Sequence, residues 1–282
     1  MGVDFADVDR DGRLDGFFVD MLSRFPAMRK RQGLAQMLRP APVGGFGKQV
    51  VQVMRNTLCW NRGDGTYAEI AGFANLTAAD WAWSPIFTDV DLDGYEDLLI
   101  GAGHFRDVQD YDGEAKIQAS QHAWTGFATE VDRQRAFTRE LMEHYYFYPK
   151  LDLPIGAFRN RGNGSFEEAT AAWGLDVPGV NQGLALADFD GDGALDVAVN
   201  RLNAGALLFR NRGASGRIAV RLVGNAPNTQ AIGAEVALLG GAVPRQTSEV
   251  VAGGRYLSGS DTLVSFATGG SEGDMRLVVR WR

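Results

Sequence analysis

The sequence predicts a mainly β fold: a partial β-propeller of about three blades with a helical insertion, then a small C-terminal β domain. Three observations carry this. A nine-residue acidic pattern occurs three times, as D-V-D-R-D-G-R-L-D at Asp7–Asp15, D-V-D-L-D-G-Y-E-D at Asp89–Asp97 and D-F-D-G-D-G-A-L-D at Asp188–Asp196. An apolar run follows each copy, Phe17-Phe18-Val19, Leu98-Leu99-Ile100 and Val197-Ala198-Val199, and such runs read as buried strands. A strand–turn–strand motif tracks the acidic one: Trp60-Asn61-Arg62-Gly63-Asp64-Gly65 matches Arg159-Asn160-Arg161-Gly162-Asn163-Gly164, and Phe209-Arg210-Asn211-Arg212-Gly213 is a shorter third copy.

Each acidic loop places carboxylates at positions one, three, five and nine, and Gly at position six. Four carboxylates in nine residues repel one another unless a cation sits among them, and hard oxygen ligands on a tight loop suit Ca²⁺. The predicted ligands are Asp7, Asp9, Asp11 and Asp15; Asp89, Asp91, Asp93 and Asp97; Asp188, Asp190, Asp192 and Asp196. The position-seven carbonyls of Arg13, Tyr95 and Ala194 complete the sets. An EF-hand is excluded, because it needs Glu at position twelve and a following helix. Position twelve here is Phe18, Ile100 and Val199, so each loop joins two strands.

The spacing gives the repeat. Asn61 to Asn160 spans 99 residues, as does Asp89 to Asp188, whereas Asn160 to Asn211 spans 51. About 50 residues with four short strands is a propeller blade. All three hairpin copies are expected to form hairpins. The longer units carry insertions. Residues 21–56 hold Arg24, Arg29, Lys30, Arg31, Arg39 and Lys48, with Met28, Leu34, Met37 and Leu38 between them, which predicts a short basic helix and then a Pro/Gly-rich loop. Residues 107–150 are the helical region. Ile117, Trp124, Phe127, Val131, Phe137, Leu141, Tyr145 and Tyr148 recur at helical spacings, Gly126 divides the run and Pro149 ends it. The expectation is a helical cap packed over one end of the propeller. From Gly216 the acidic loops stop, and alternating strands are expected at 217–223, 232–239, 246–252, 262–268 and 275–281. The predicted division is 1–215 and 216–282.

Composition narrows the function. A net charge of −7 over 282 residues argues against a nucleic-acid partner. The four carboxylates of each loop account for twelve of the 35 acidic residues, so much of the acidity belongs to the metal sites. The single Cys59 allows no internal disulfide and is expected to be buried. No apolar run reaches the ~18 residues of a membrane span. The chain starts directly on a strand and stops inside another, so it reads as part of a longer protein.

No nucleophile elbow, phosphate-binding loop or opposed carboxylate pair is present, which predicts a protein that is not an enzyme. His104, His122 and His144 lie far apart without ligand spacing, and Arg62-Gly63-Asp64 is accounted for by its hairpin turn. Trp81 and Trp83 share one strand face, where core packing competes with sugar stacking. The alternative function is a polysaccharide-acting enzyme with its site under the 107–150 insertion.

These loops resemble the FG-GAP/VCBS repeats of integrin-α-type propellers, in the form that lacks their Phe-Gly and Gly-Ala-Pro elements. Ile232-Gly233-Ala234-Glu235-Val236, Gly253-Gly254-Arg255-Tyr256-Leu257-Ser258 and Val278-Val279-Arg280-Trp281 resemble the ASPIC/UnbV domain. The resemblance implies bound Ca²⁺, secretion or a cell-surface location, and binding of an extracellular protein or glycan.

Overall fold

The structure, a computed structural model, describes residues 2–32, 53–120, 126–213, 215–270 and 273–282. The first sheet is an antiparallel meander of β1 (Val3–Ala6), β2 (Asp15–Phe18), β3 (Thr57–Asn61) and β4 (Tyr67–Glu69). The second repeats it with β5 (Ala82–Thr88), β6 (Asp97–Ala102), β7 (Gly156–Asn160) and β8 (Phe166–Glu168). The third has three strands, β9 (Asn181–Ala187), β10 (Asp196–Arg201) and β11 (Leu207–Phe209). The first strand of each sheet lies beside the first strand of the next, β1 by β5 and β5 by β9. That is blade packing about a common axis, and it bears out the predicted partial propeller.

Burial follows the alternation of side chains along the strands. Phe17 and Leu58 of the first blade meet Phe87, Leu98, Ile100 and Phe158 of the second in one core. The opposite face of the second blade, with Ile86, Leu99 and Ala157, meets Leu184, Leu186, Val197 and Val199 of the third. Blade contact is close enough to need glycine at one point. A Cβ on Gly101 of β6 would lie 2.9 Å from the backbone oxygens of both Asn181 and Gln182 on β9. Backbone oxygens cannot rotate away, so Gly101→Ala should destabilise the fold by about 1–3 kcal/mol. Chemical denaturation checks this, and a wild-type midpoint would contradict the packing.

The third hairpin does not form. After β11 the chain leaves the blade and enters β12 (Arg217–Val220), which pairs with β15 (Val264–Ala267) instead of returning on β11. The third copy lacks the second turn glycine of the other two, at the place of Gly65 and Gly164. β13 (Glu235–Leu239), β14 (Arg245–Glu249) and β16 (Arg276–Arg280) form a further sheet in the order β14-β13-β16. All five of these tail strands fall within the predicted stretches or one residue outside them. Their shared core is Val236, Leu238, Val250, Val264 and Phe266.

Both insertions leave their blades between the second and third strands. In the first, α1 (Pro26–Arg31) is the predicted basic helix, with Arg29, Lys30 and Arg31 in its last turn. Leu34, Met37, Leu38, Arg39, Lys48 and the Pro/Gly loop lie outside the described residues. In the second, α2 (Tyr111–Ser120) and α3 (Glu130–Tyr145) form as two helices, with Thr129 capping α3 through the backbone N–H of Asp132. Trp124 and His122 lie outside the described residues. The insertions hold each other: Arg31 pairs with Asp110 at 2.7 Å, and Gln32 donates to Asp107. The expected helical stripe packs only in part: Tyr148 is buried and Ile117 and Tyr145 are half-buried, whereas Val131, Phe137 and Leu141 are each more than half exposed and no residue of α3 is fully buried. Cys59 is also only partly buried, because it shares the outer face of the first blade with the exposed Phe5 and Phe18.

Candidate metal centre

Each acidic loop connects the first and second strands of its blade, so all three occupy the same place in the repeat. Position six must turn the chain back, and Gly12, Gly94 and Gly193 have φ of +88°, +99° and +87°. Position four is left-handed as well: Arg10 at 62°, Leu92 at 55° and Gly191 at 75°. Only the third copy signals this in its sequence, with a glycine.

The carboxylates first build the loop itself. Position one accepts the position-six N–H, from Gly12 to Asp7 at 3.0 Å, Gly94 to Asp89 at 2.8 Å and Gly193 to Asp188 at 2.8 Å. Position five accepts the position-seven N–H, from Arg13 to Asp11 at 2.8 Å, Tyr95 to Asp93 at 3.0 Å and Ala194 to Asp192 at 2.8 Å. Position nine braces two strands. One oxygen of Asp15, Asp97 and Asp196 accepts from Val8, Val90 and Phe189, and the other from the backbone N–H of Asn61, Asn160 and Asn211.

Three carboxylates of each loop also converge. Asp7, Asp9 and Asp11; Asp89, Asp91 and Asp97; and Asp188, Asp190 and Asp196 each bring one oxygen within 4.8 Å of the others. Asp7 Oδ1 and Asp91 Oδ1 are buried and accept no hydrogen bond. Burial pushes the carboxyls up, Asp15 to about 6, Asp89 to about 8 and Asp97 to about 9. Burial also raises Asp7 and Asp91. A desolvated carboxylate cluster with orphaned oxygens is what a hard cation neutralises. The third loop is more open. At Asp188 burial is the largest single influence and raises the carboxyl, but the N–H groups of Gly193, Gly191 and Asp192 together outweigh it, so the group titrates below its ordinary value.

Sequence reasoning missed the cationic and indole partners. The residue before each motif asparagine reaches position three of its own loop. Trp60 Nε1 donates to Asp9 at 2.6 Å, Arg159 Nε pairs with Asp91 at 2.6 Å, and Arg210 pairs with Asp190. Their common place in the hairpin motif was the available signal. The asparagine side chains link blades. Asn160 Nδ2 donates to the Val8 carbonyl of the first loop at 2.8 Å, and Asn211 Nδ2 to Val90 of the second at 2.8 Å.

The tail covers the same loops. Ser265 donates to the Gly193 carbonyl at 2.7 Å, Arg217 to that of Asp192 at 2.8 Å, and Ala267 packs with Leu92 and Ala194. Its 255–261 segment then runs along the inner strands of all three blades. Arg255 pairs with Asp4 at 2.6 Å, Tyr256 stacks on Trp83 at 5.3 Å, and Asp261 N donates to Leu186 O at 2.8 Å. Trp83 in turn stacks on His104, and His104 on Trp81 at 4.2 Å, so these rings largely cover one another. In the first hairpin, Asp64 Oδ1 accepts from both the N–H and the hydroxyl of Thr66, which fixes the Arg62-Gly63-Asp64 turn.

The FG-GAP-like repeat family matches residues 50–100 and 152–199, and the ASPIC and UnbV family matches residues 224–282. Two stretches of the chain thus match FG-GAP-like repeats, and its tail matches the ASPIC and UnbV domain. The first acidic loop lies ahead of both repeat matches, yet its hydrogen bonds copy those of the other two. Over 239 residues the chain is 26% identical to cartilage acidic protein 1 of Mus musculus, across 78% of this chain and 34% of that protein. It is 25% identical to cartilage acidic protein 1 of Homo sapiens, across 78% and 33%. The chain thus spans about a third of the length of these curated relatives. No helix among the described residues is long and apolar enough to cross a membrane.

Proposed function

We propose that the chain is a Ca²⁺-stabilised propeller segment of a secreted or cell-surface protein, and that it binds an extracellular protein or glycan without catalysing a reaction. The proposed units are 1–215 for the blades, with inserts at 21–56 and 107–150, and 216–282 for the tail. The proposed ligands are the position-one, three, five and nine aspartates with the carbonyls of Arg13, Tyr95 and Ala194. One observation carries the reading: three loops at one blade position each converge three carboxylate oxygens, and two buried oxygens, on Asp7 and Asp91, have no other partner.

Calcium there would tie the first hairpin of each blade and, through the tail contacts, the blades to the tail. Ligand binding is assigned to the opposite end, where the two insertions meet through Arg31–Asp110. Titration calorimetry should show about three Ca²⁺ per chain, reduced by one in Asp89→Asn. Full stoichiometry in that variant would contradict the assignment of the second loop.

A further inference from the structure

Each blade has an entry face, toward the blade before it, and an exit face, toward the blade after it. The entry face of the second blade, with Phe87, Ile100, Phe158 and Phe166, is buried on the exit face of the first, where Phe87 meets Phe17 edge to face at 6.1 Å. The third blade repeats this on the second through Leu186, Val197 and Val199. Counted from position one of the acidic loop and from the motif asparagine, the same positions in the first blade are Phe5, Phe18, Cys59 and Tyr67. Phe5 is 54%, Phe18 43% and Tyr67 56% exposed, whereas Phe87, Ile100 and Phe166 are at most 6% exposed. Aromatic side chains gathered on one open face mark an interaction surface. The two internal joints show what covers such a face: the exit face of another blade.

The chain itself carries an open exit face that fits. The second blade buries Ile86, Leu99 and Ala157 under the third. The same positions of the third blade are Ala185, Ala198 and Leu208, and Leu208 is 62% exposed. Shape matches first. Phe5 and Phe18 cross edge to face at 6.3 Å over Gly16, which raises the entry face of the first blade. Ala198 stands where the first blade has Phe17, and Ala185 where the second has Ile86, which leaves room for those two rings. Hydrogen bonding matches next. At each internal joint the motif asparagine donates to the position-two carbonyl of the blade before it, Asn160 to Val8 and Asn211 to Val90. Asn61 reaches only its own blade, at Leu14 O and the Tyr67 hydroxyl. Among the described residues the position-two carbonyl of Phe189 has no asparagine donor. One donor and one acceptor of the repeat are thus left over, at opposite ends of the row of blades.

We propose that two copies of this chain close into one ring, the first blade of each packing its entry face on the third blade of the other, with Asn61 donating to the partner's Phe189 carbonyl. Head-to-tail contacts of this kind either close into a ring or run on as a filament. Two copies supply six blades, within the roughly four to eight of closed propellers, and leave no blade face open.

The test is sedimentation velocity of the full chain over a concentration series through the micromolar range. A shift from monomer to a dimer that grows no further is expected. Tyr67→Lys and Leu208→Glu, one on each face and both at exposed positions, should each weaken association at least tenfold while leaving the melting midpoint of the monomer unchanged. Mixed one to one, the two variants should associate again. Each keeps the face that the other lacks, and the second joint sets the introduced lysine on the same contact as the introduced glutamate. A chain that stays monomeric, or that assembles without limit, overturns the proposal. So does a mixture of the two variants that stays monomeric, and so does a dimer that Leu208→Glu leaves intact, since that would set the two first blades against each other.

Discussion

Replacing Asp80 with Ala should destabilise the protein by about 3 kcal/mol or more. Asp80 is 1% exposed and sits just before β5. Its carboxylate takes the Ser23 hydroxyl at 2.7 Å, the Arg24 N–H at 2.9 Å and Arg24 Nε at 2.7 Å. Removing it leaves a half-satisfied guanidinium in a mostly buried place, which is the costly way to break an ion pair. Glu168 still reaches Arg24 Nη1 at 3.0 Å from its exposed position and limits the loss. Asp80 also has φ of 62°, which Asp tolerates better than Ala, and this adds on the order of 1 kcal/mol. Asp80→Asn keeps the backbone preference and loses the charge, so its cost should fall between wild type and Ala. Urea denaturation of the three forms decides. Equal stability of Asp80→Ala and wild type would mean that the first insertion is not anchored on the second blade.

Asn160→Ala should cost about 2–4 kcal/mol, and the equivalent Asn61→Ala only about 1 kcal/mol. The two asparagines occupy the same motif position but not the same surroundings. Asn160 is 1% exposed, and its amide donates to Val8 O of the first blade and Glu96 O of its own. Asn61 has no described blade before it and donates at the surface to Leu14 O at 3.2 Å. The difference between the two substitutions therefore measures the inter-blade link, separated from the Asx turn that both residues make. Equal costs would show that the link contributes nothing.

These residues mark what the sequence made legible. The acidic loops, the following strands and the hairpins were readable because Asp and Gly at fixed spacing dictate local geometry. That signal does not depend on the rest of the chain. The order of strands within a blade followed from it. The Arg24–Asp80 pair spans 56 residues, and no local pattern announces it. The same holds for the tail segment at Arg255–Asp261, whose partners sit on β1, β5 and β9. The third hairpin was misread because its first strand matches the motif while its turn does not. Helix α3 was misread differently. Its period was right, but an apolar stripe alone does not say whether it turns toward the body or away from it. The carboxylates of the metal loops were visible in the sequence, whereas the left-handed position four and the reach of Trp60, Arg159 and Arg210 to position three needed coordinates.

The measurement closest to the central claim is thermal unfolding of the full chain with excess Ca²⁺ and with excess chelator. A ligand that binds only the folded state stabilises it by about 2.7 kcal/mol per site at a hundredfold excess over its dissociation constant. Three loops of the described geometry therefore predict a midpoint that rises by several degrees or more in Ca²⁺ and falls back on chelation, with Mg²⁺ a poor substitute. An identical midpoint in both conditions would contradict the account.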